Sequence, residues 1–154
     1  HRIMAINYGG LVNIAQAALP AMVRRGAGDF ISFSSMAGII PILMTGAYNA
    51  SKFAVSAFTE VLHHENRASG VRFACVCPPP VATPLLAQGY ATVMPKTIES
   101  MPPIEPRDVL DAIESALAKG EFWVFPGKGT RTGYLMRRFF PNLIWKDVHK
   151  KEGF

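Results

Sequence analysis

Apolar residues recur at helical spacing from Ile3 to Arg25, with Leu11, Ile14, Ala15, Ala18 and Met22 on one stripe, and Gly26 ends the pattern. Phe30, Ile31 and Phe33 crowd the run Asp29–Ser34, which predicts a short buried strand. A loop with Gly38, Pro41 and Gly46 leads to a second long helical pattern, Ala47 to about Ala68, stopped at Gly70. Val71–Cys77 is another apolar strand, closed by Pro78-Pro79-Pro80. Residues 81–104 hold many Pro and Met and little clear period. Pro106 opens a third helix with Val109, Ile113, Ala116 and Leu117 on one face, Gly120 ends it, and Phe122–Phe125 predicts a short third strand.

Helix–strand–helix–strand–helix–strand points to parallel strands joined by crossover helices. Right-handed crossovers then decide what meets. Ser35 follows the carboxyl end of the first strand, Tyr48 and Lys52 begin the helix that leaves that edge, and Pro78–Thr83 follows the second strand. Asn7, near the start of the helix leading into the first strand, belongs to the same edge. Open α/β sheets bind ligands there.

The chain has 154 residues, 49% of them hydrophobic, enough for one sizeable core. No run of about 18 apolar residues predicts a spanning helix. A start at His1 inside a helical pattern implies a fragment of a longer protein. Cys75 and Cys77, two apart in a strand, share one side and read as reduced core thiols in a cytoplasmic protein. They form neither a disulfide framework nor a zinc site, and no metal is expected.

The net charge of +5 is crowded into the last part of the chain. Lys128, Arg131, Arg137, Arg138, Lys146, Lys150 and Lys151 alternate there with Tyr134, Phe139, Phe140 and Trp145. This is a solvated face of a terminal helix, an anion site or a peripheral membrane contact; no nucleic-acid module accompanies it. Gly127-Lys128-Gly129-Thr130 lacks the upstream glycine of a phosphate loop. The adjacent His63 and His64 are expected at the surface, without a role.

Ser35 precedes Tyr48 by 13 residues, and Lys52 follows Tyr48 at i+4. One helical turn sets Tyr48 and Lys52 on one face, about 6 Å apart along the axis. An ammonium there favours phenolate over phenol, making the tyrosine a proton donor and acceptor near neutrality. Such a group suits proton exchange at a carbonyl or alcohol oxygen.

Taken in order, Asn7, Asp29-Phe30-Ile31-Ser32-Phe33-Ser34-Ser35-Met36-Ala37-Gly38, the Tyr48-to-Lys52 box, Gly70-Val71-Arg72 and the turn ending Val81-Ala82-Thr83 resemble the short-chain dehydrogenase/reductase family. The interval from Asn7 to Ser35 fits as well, and the likeness runs from residue 1 to about 125, the carboxyl-terminal half of a typical member. The resemblance implies a Rossmann-like parallel sheet with flanking helices that lacks its amino-terminal strands. Residues 1–127 would be the catalytic part, with a lid at about 84–104, and 128–154 a basic aromatic tail.

It further implies an NAD- or NADP-dependent oxidoreductase. Tyr48 would be the general acid in carbonyl reduction and the base in alcohol oxidation. Lys52 would lower the tyrosine pKa and hold the nicotinamide ribose, Ser35 (rather than Ser34) would bond the substrate oxygen, and Asn7 would hold the helix and a water linking Lys52 to solvent. Thr83 would bond the nicotinamide carboxamide, with Pro78 and the Val81 backbone nearby. Leu85, Leu86, Tyr90, Val93, Met94 and Met101 would line an apolar pocket, implying a hydrophobic ketone, aldehyde or alcohol as substrate. Helices 3–25 and 47–68 would pair copies into a homodimer or tetramer.

Two departures stand out. Pro78-Pro79 occupies the family's Pro-Gly turn, removing an amide donor. The glycine-rich pyrophosphate fingerprint and the residue that chooses between NAD and NADP do not occur. Two other readings use the same residues: a truncated, non-catalytic interaction domain, and an epimerase or dehydratase of the same family.

Overall fold

The computed structural model describes residues 1–91 and 94–154. Helical segments Arg2–Met4, Ala5–Gly9 (a π-helical turn) and Gly10–Arg25 follow without a break and together form α1. Gly26 ends it at φ 70°, its amide bonding the Met22 and Val23 carbonyls. β1 is Gly28–Phe33, followed by a 3₁₀ turn, Met36–Gly38. α2 is Gly46–Glu65 and β2 is Val71–Val76. Two short helices follow, α3 (Pro84–Tyr90) and α4 (Lys96–Glu99). α5 is Pro106–Lys119, β3 is Trp123–Val124, α6 is Thr130–Phe139 and α7 is Pro141–Glu152.

The strands form one parallel sheet in the order β1-β2-β3, with Gly28 opposite Val71 and Phe33 opposite Val76. The alternating pattern's parallel strands and crossover helices are present, in the Rossmann-like α/β arrangement that the resemblance implies. Strand alternation sorts the core. Phe30, Val71 and Phe73 point to one face and pack with Ala15 and Leu19 of α1. Ala74, Val76 and Val124 point to the other and meet Val109, Ile113 and Ala116 of α5. Each buried aliphatic side chain of this kind contributes about 1.5–3 kcal/mol relative to exposure. Asp29 and Arg72 stand opposite in register and pair through two bonds of 2.6 and 2.8 Å. Both are exposed enough for the pair to contribute little.

At the amino-terminal edge, Gly70 (φ 77°) lies so close to the Gly26 carbonyl that no β-carbon fits between them. The turns after α1 and α2 therefore meet backbone to backbone. At the carboxyl-terminal edge the loops are stitched together: Ser34 N donates to Val76 O (2.9 Å) and Met36 N to Pro78 O (3.0 Å).

Some expected boundaries move. α2 ends three residues before Ala68, where Asn66 donates its side-chain amide back to Leu62 O. The third strand shortens to two residues. The aperiodic stretch 81–104 contains α3 and α4, too short for a helical period to register. The tail is two helices, because Phe140 leaves helical geometry (φ −133°, ψ 54°) and Pro141 restarts it at N1. Among the described residues, no helix is long and apolar enough to cross a membrane.

Candidate active site

Ser34 and Ser35 leave β1 with different tasks. Ser34, buried, donates to Lys52 O (2.9 Å), and its Oγ lies 2.7 Å from Ser56 Oγ. It fastens the strand end to α2. Ser35 has an extended backbone, and its Oγ accepts from Ala37 N (3.1 Å), capping the 3₁₀ turn. That hydroxyl also lies against the Tyr48 phenol. Gly38 makes the approach possible: a β-carbon there would sit 2.7 Å from Lys52 O and overlap Ser34 Oγ.

Tyr48 occupies the first turn of α2 and Lys52 the next, with the ammonium 5.8 Å from the phenol ring centroid. Lys52 Nζ donates to Phe33 O, the last carbonyl of β1, at 2.9 Å. Burial raises the Tyr48 pKa above the usual phenol value, and the bond with Ser35 pulls it partly back. Burial lowers the Lys52 pKa, with Cys75 and Cys77 acting the other way. The net direction for the phenol in this ligand-free chain is upward, set by burial. The Lys52 ammonium is bonded instead to the Phe33 carbonyl.

Asn7 lies in the π-helical turn of α1, and its Nδ2 donates to Ser51 Oγ (3.0 Å). Ser51, fully buried, donates to Tyr48 O (2.8 Å). π-Turns frequently mark functional positions, because the widened turn re-aims its side chains. Asn49 carries no signal in the sequence beyond its place inside the Tyr48-to-Lys52 box. Its side-chain amide donates to Ile42 O (2.7 Å), and its Oδ1 accepts from Ile42 N (3.3 Å) and Thr45 Oγ1 (3.1 Å). Asn49 thus ties down the loop before Tyr48, in which Met44 adopts a left-handed backbone (φ 64°) that is costly for a side-chain-bearing residue.

Pro78 lends its carbonyl to Met36 N, and Val81 pairs in parallel with Ile104. Thr83 caps α3: its Oγ1 accepts from Leu86 N and donates to Val81 O, both at 3.3 Å. A shallow depression of about 340 Å³ opens beside it, lined by Ala82, Thr83, Pro84, Leu86, Ala87 and Tyr90. Leu85 is 77% exposed and outside this lining. It falls on the outward face of α3, so Leu86 holds the position assigned to it. Met94 lies against Gly89, Met101 is 37% exposed, and Val93 falls outside the described residues.

Cys75 and Cys77 are free, fully buried thiols beneath the site. A hydrogen bond with Cys75, then burial, pushes the Cys77 pKa far up. His63 is not a simple surface residue: it stacks on Phe122 with ring centroids 4.7 Å apart. Burial there lowers its pKa.

A family model described as short chain dehydrogenase matches residues 1–93. A dehydrogenase/reductase SDR family protein 7-like from Drosophila melanogaster is 29% identical, over 97% of this chain and 48% of its own length. A short chain dehydrogenase from Burkholderia cenocepacia, solved in complex with NADP, superposes with a TM-score of 0.79 at 23% identity, covering 94% of this chain and 56% of that one. A short chain dehydrogenase/reductase from Burkholderia phymatum, solved in complex with NAD, gives 0.70 at 21% identity, with 92% and 58% covered. The chain spans about half the length of the curated relatives it matches first. With an ordered serine, tyrosine and lysine at the carboxyl edge of a parallel sheet and a family match over most of that region, the chain belongs to the short chain dehydrogenase family.

Proposed function

We propose that residues 1–127 are the catalytic part of an NAD- or NADP-dependent oxidoreductase that interconverts a hydrophobic ketone or aldehyde and its alcohol. The observation that carries this reading is the convergence at the sheet's carboxyl edge of Ser35, just after β1, with Tyr48 and Lys52 of the first turns of α2, the ammonium 5.8 Å from the phenol ring. In reduction, Ser35 Oγ and the Tyr48 phenol hold the substrate oxygen, and Tyr48 passes its proton to that oxygen. A protonated phenol is the starting state a general acid needs. Lys52 offsets the charge left on the phenolate, and oxidation runs the same transfer backwards.

The donor set fits the nicotinamide end of a dinucleotide. Lys52 would exchange its bond to Phe33 O for the ribose hydroxyls, while Thr83, Val81 and Pro78 border the same edge. A bound nicotinamide supplies or accepts the hydride. These 154 residues contain no glycine-rich turn for the pyrophosphate. The activity is thus assigned to a protein in which such a half accompanies them. The NADP and NAD complexes of the two Burkholderia proteins support either nucleotide.

Substrate character is read from the depression beside α3, where Leu86, Ala87 and Tyr90 supply an apolar wall. Pairing of copies is assigned to α1 and α2, where Val12, Leu19, Phe58 and Leu62 line an apolar groove of about 550 Å³. Residues 128–154 are assigned to peripheral membrane contact.

A reductase assay with NADH and NADPH, on a protein joining these residues to a glycine-rich half, tests the reading. Faster turnover of bulky hydrophobic ketones than of small sugars is expected. A preference for sugars, or submicromolar to micromolar dinucleotide binding by the 154 residues alone, contradicts it.

A further inference from the structure

The described surface is electrically lopsided. Seven of the 16 lysines and arginines, but only two of the 11 acids, lie in residues 128–154, and the other 127 residues balance nine against nine. Both tail acids are already engaged. Asp147 pairs with Lys151 (2.8 Å), and Glu152 accepts from Thr97 N (2.7 Å) and Lys96 N (3.2 Å). Lys128, Arg131, Arg138, Lys146 and Lys150 remain exposed.

The same segment carries large apolar side chains in water. Leu135 and Phe139 stand four residues apart on α6, and Phe140 and Leu143 continue around the corner into α7; the four are 43–64% exposed. Phe140 leaves helical geometry, so the corner projects two adjacent phenyl rings. Arg131 and Arg138 flank the rings on α6 and Lys146 on α7. Exposed aromatics bordered by unneutralised cations are the pattern of an element seated at a lipid interface.

We propose that the α6–α7 corner docks on an anionic lipid surface, with Leu135, Phe139, Phe140 and Leu143 entering the acyl boundary and Arg131, Arg138 and Lys146 holding headgroup phosphates. This deepens the membrane contact assigned above, on which it rests. The corner is mechanically joined to the site at two places. A β-carbon on Gly133 of α6 would meet Met36 Cε and Ile40 Cδ1 of the Ser35 loop at 3.6 and 3.7 Å. At the other end, Glu152 of α7 grips α4 through Thr97 and Lys96. With the corner seated on lipid, α6 would thus still rest on the serine loop and the far end of α7 on α4.

Cosedimentation with phosphatidylcholine vesicles, with and without roughly one-third phosphatidylserine, tests this. Salt-sensitive binding to the anionic vesicles alone is expected. R131Q/R138Q/K146Q should weaken it roughly a hundredfold, and F139S/F140S at least about tenfold, with unchanged circular dichroism. Both sets are exposed, so folding should survive. Three results would overturn the proposal: absence of binding at low salt, equal retention on DNA by F139S/F140S, and self-association without vesicles that F139S/F140S abolishes. In a protein joining these residues to a glycine-rich half, turnover of a water-soluble ketone without vesicles should be unchanged in both variants, so loss of docking and loss of catalysis read separately.

Discussion

Asn7 and Tyr48 belong to different helices but share one relay: Asn7 Nδ2 donates to Ser51 Oγ, which donates to Tyr48 O. The relay fixes the first turn of α2, and with it the height of the phenol above the sheet edge. Ser51→Ala removes the middle member and leaves a half-buried amide donor without its acceptor. It should cost about 1 kcal/mol and lower Tm by about 2–4 °C. Turnover should fall about tenfold with KM nearly unchanged, because positioning rather than binding is lost. The double variant Asn7→Ala/Ser51→Ala should be little worse than either single one; full additivity would show that the two side chains act independently.

Gly38 carries the close contact between the Ser35 turn and α2. Gly38→Ala forces a methyl group toward Lys52 O and Ser34 Oγ in a buried place. Equilibrium denaturation should show a loss of about 1–3 kcal/mol. An unchanged midpoint would mean that the turn and helix are not in contact as described.

Tyr48 should ionise late. Its pKa is raised by burial, so the tyrosinate absorbance missing from Tyr48→Phe should develop only above the ordinary phenol range. A raised folded-state pKa means that stability falls as pH climbs from the unfolded value toward the folded one. Ser35→Ala removes the opposing hydrogen bond and should move the transition further up. A phenol that titrates near neutrality in the ligand-free protein would contradict this.

Glu152 behaves oppositely. Hydrogen bonds from the Thr97 side chain and amide hold its pKa below the usual carboxylate value. Its contribution is thus present above the unfolded pKa and is lost as pH falls through the lower folded one. Amide exchange at Lys96 and Thr97, corrected for intrinsic rates, should speed up across that acid window. In Glu152→Gln the correction should remove most of the pH dependence.

The parallel sheet and its carboxyl-edge gathering were legible because β1, β2, α1, α2 and α5 each bury one stripe or run, which periodicity reports directly. Ser35, Tyr48 and Lys52 followed from that topology plus spacing. What escaped depends on partners far away in sequence or on irregular backbone. Asn49 acts through the loop carbonyl of Ile42, and Glu152 reaches Thr97 across 55 residues. Leu85 and Leu86 are adjacent and chemically identical, so only the start of α3 at Pro84 decides which one faces the depression. The burial that raises the Tyr48 pKa depends on packing, which spacing along the helix does not report.

The central claim is that the Tyr48 hydroxyl delivers the proton. Steady-state carbonyl reduction by Tyr48→Phe, in the protein that includes a dinucleotide-binding half, tests it most directly. The account predicts a fall in kcat of about 10²–10⁴-fold, with KM and circular dichroism nearly unchanged. Turnover within a factor of about three of the parent, which converts to under 1 kcal/mol, would contradict it.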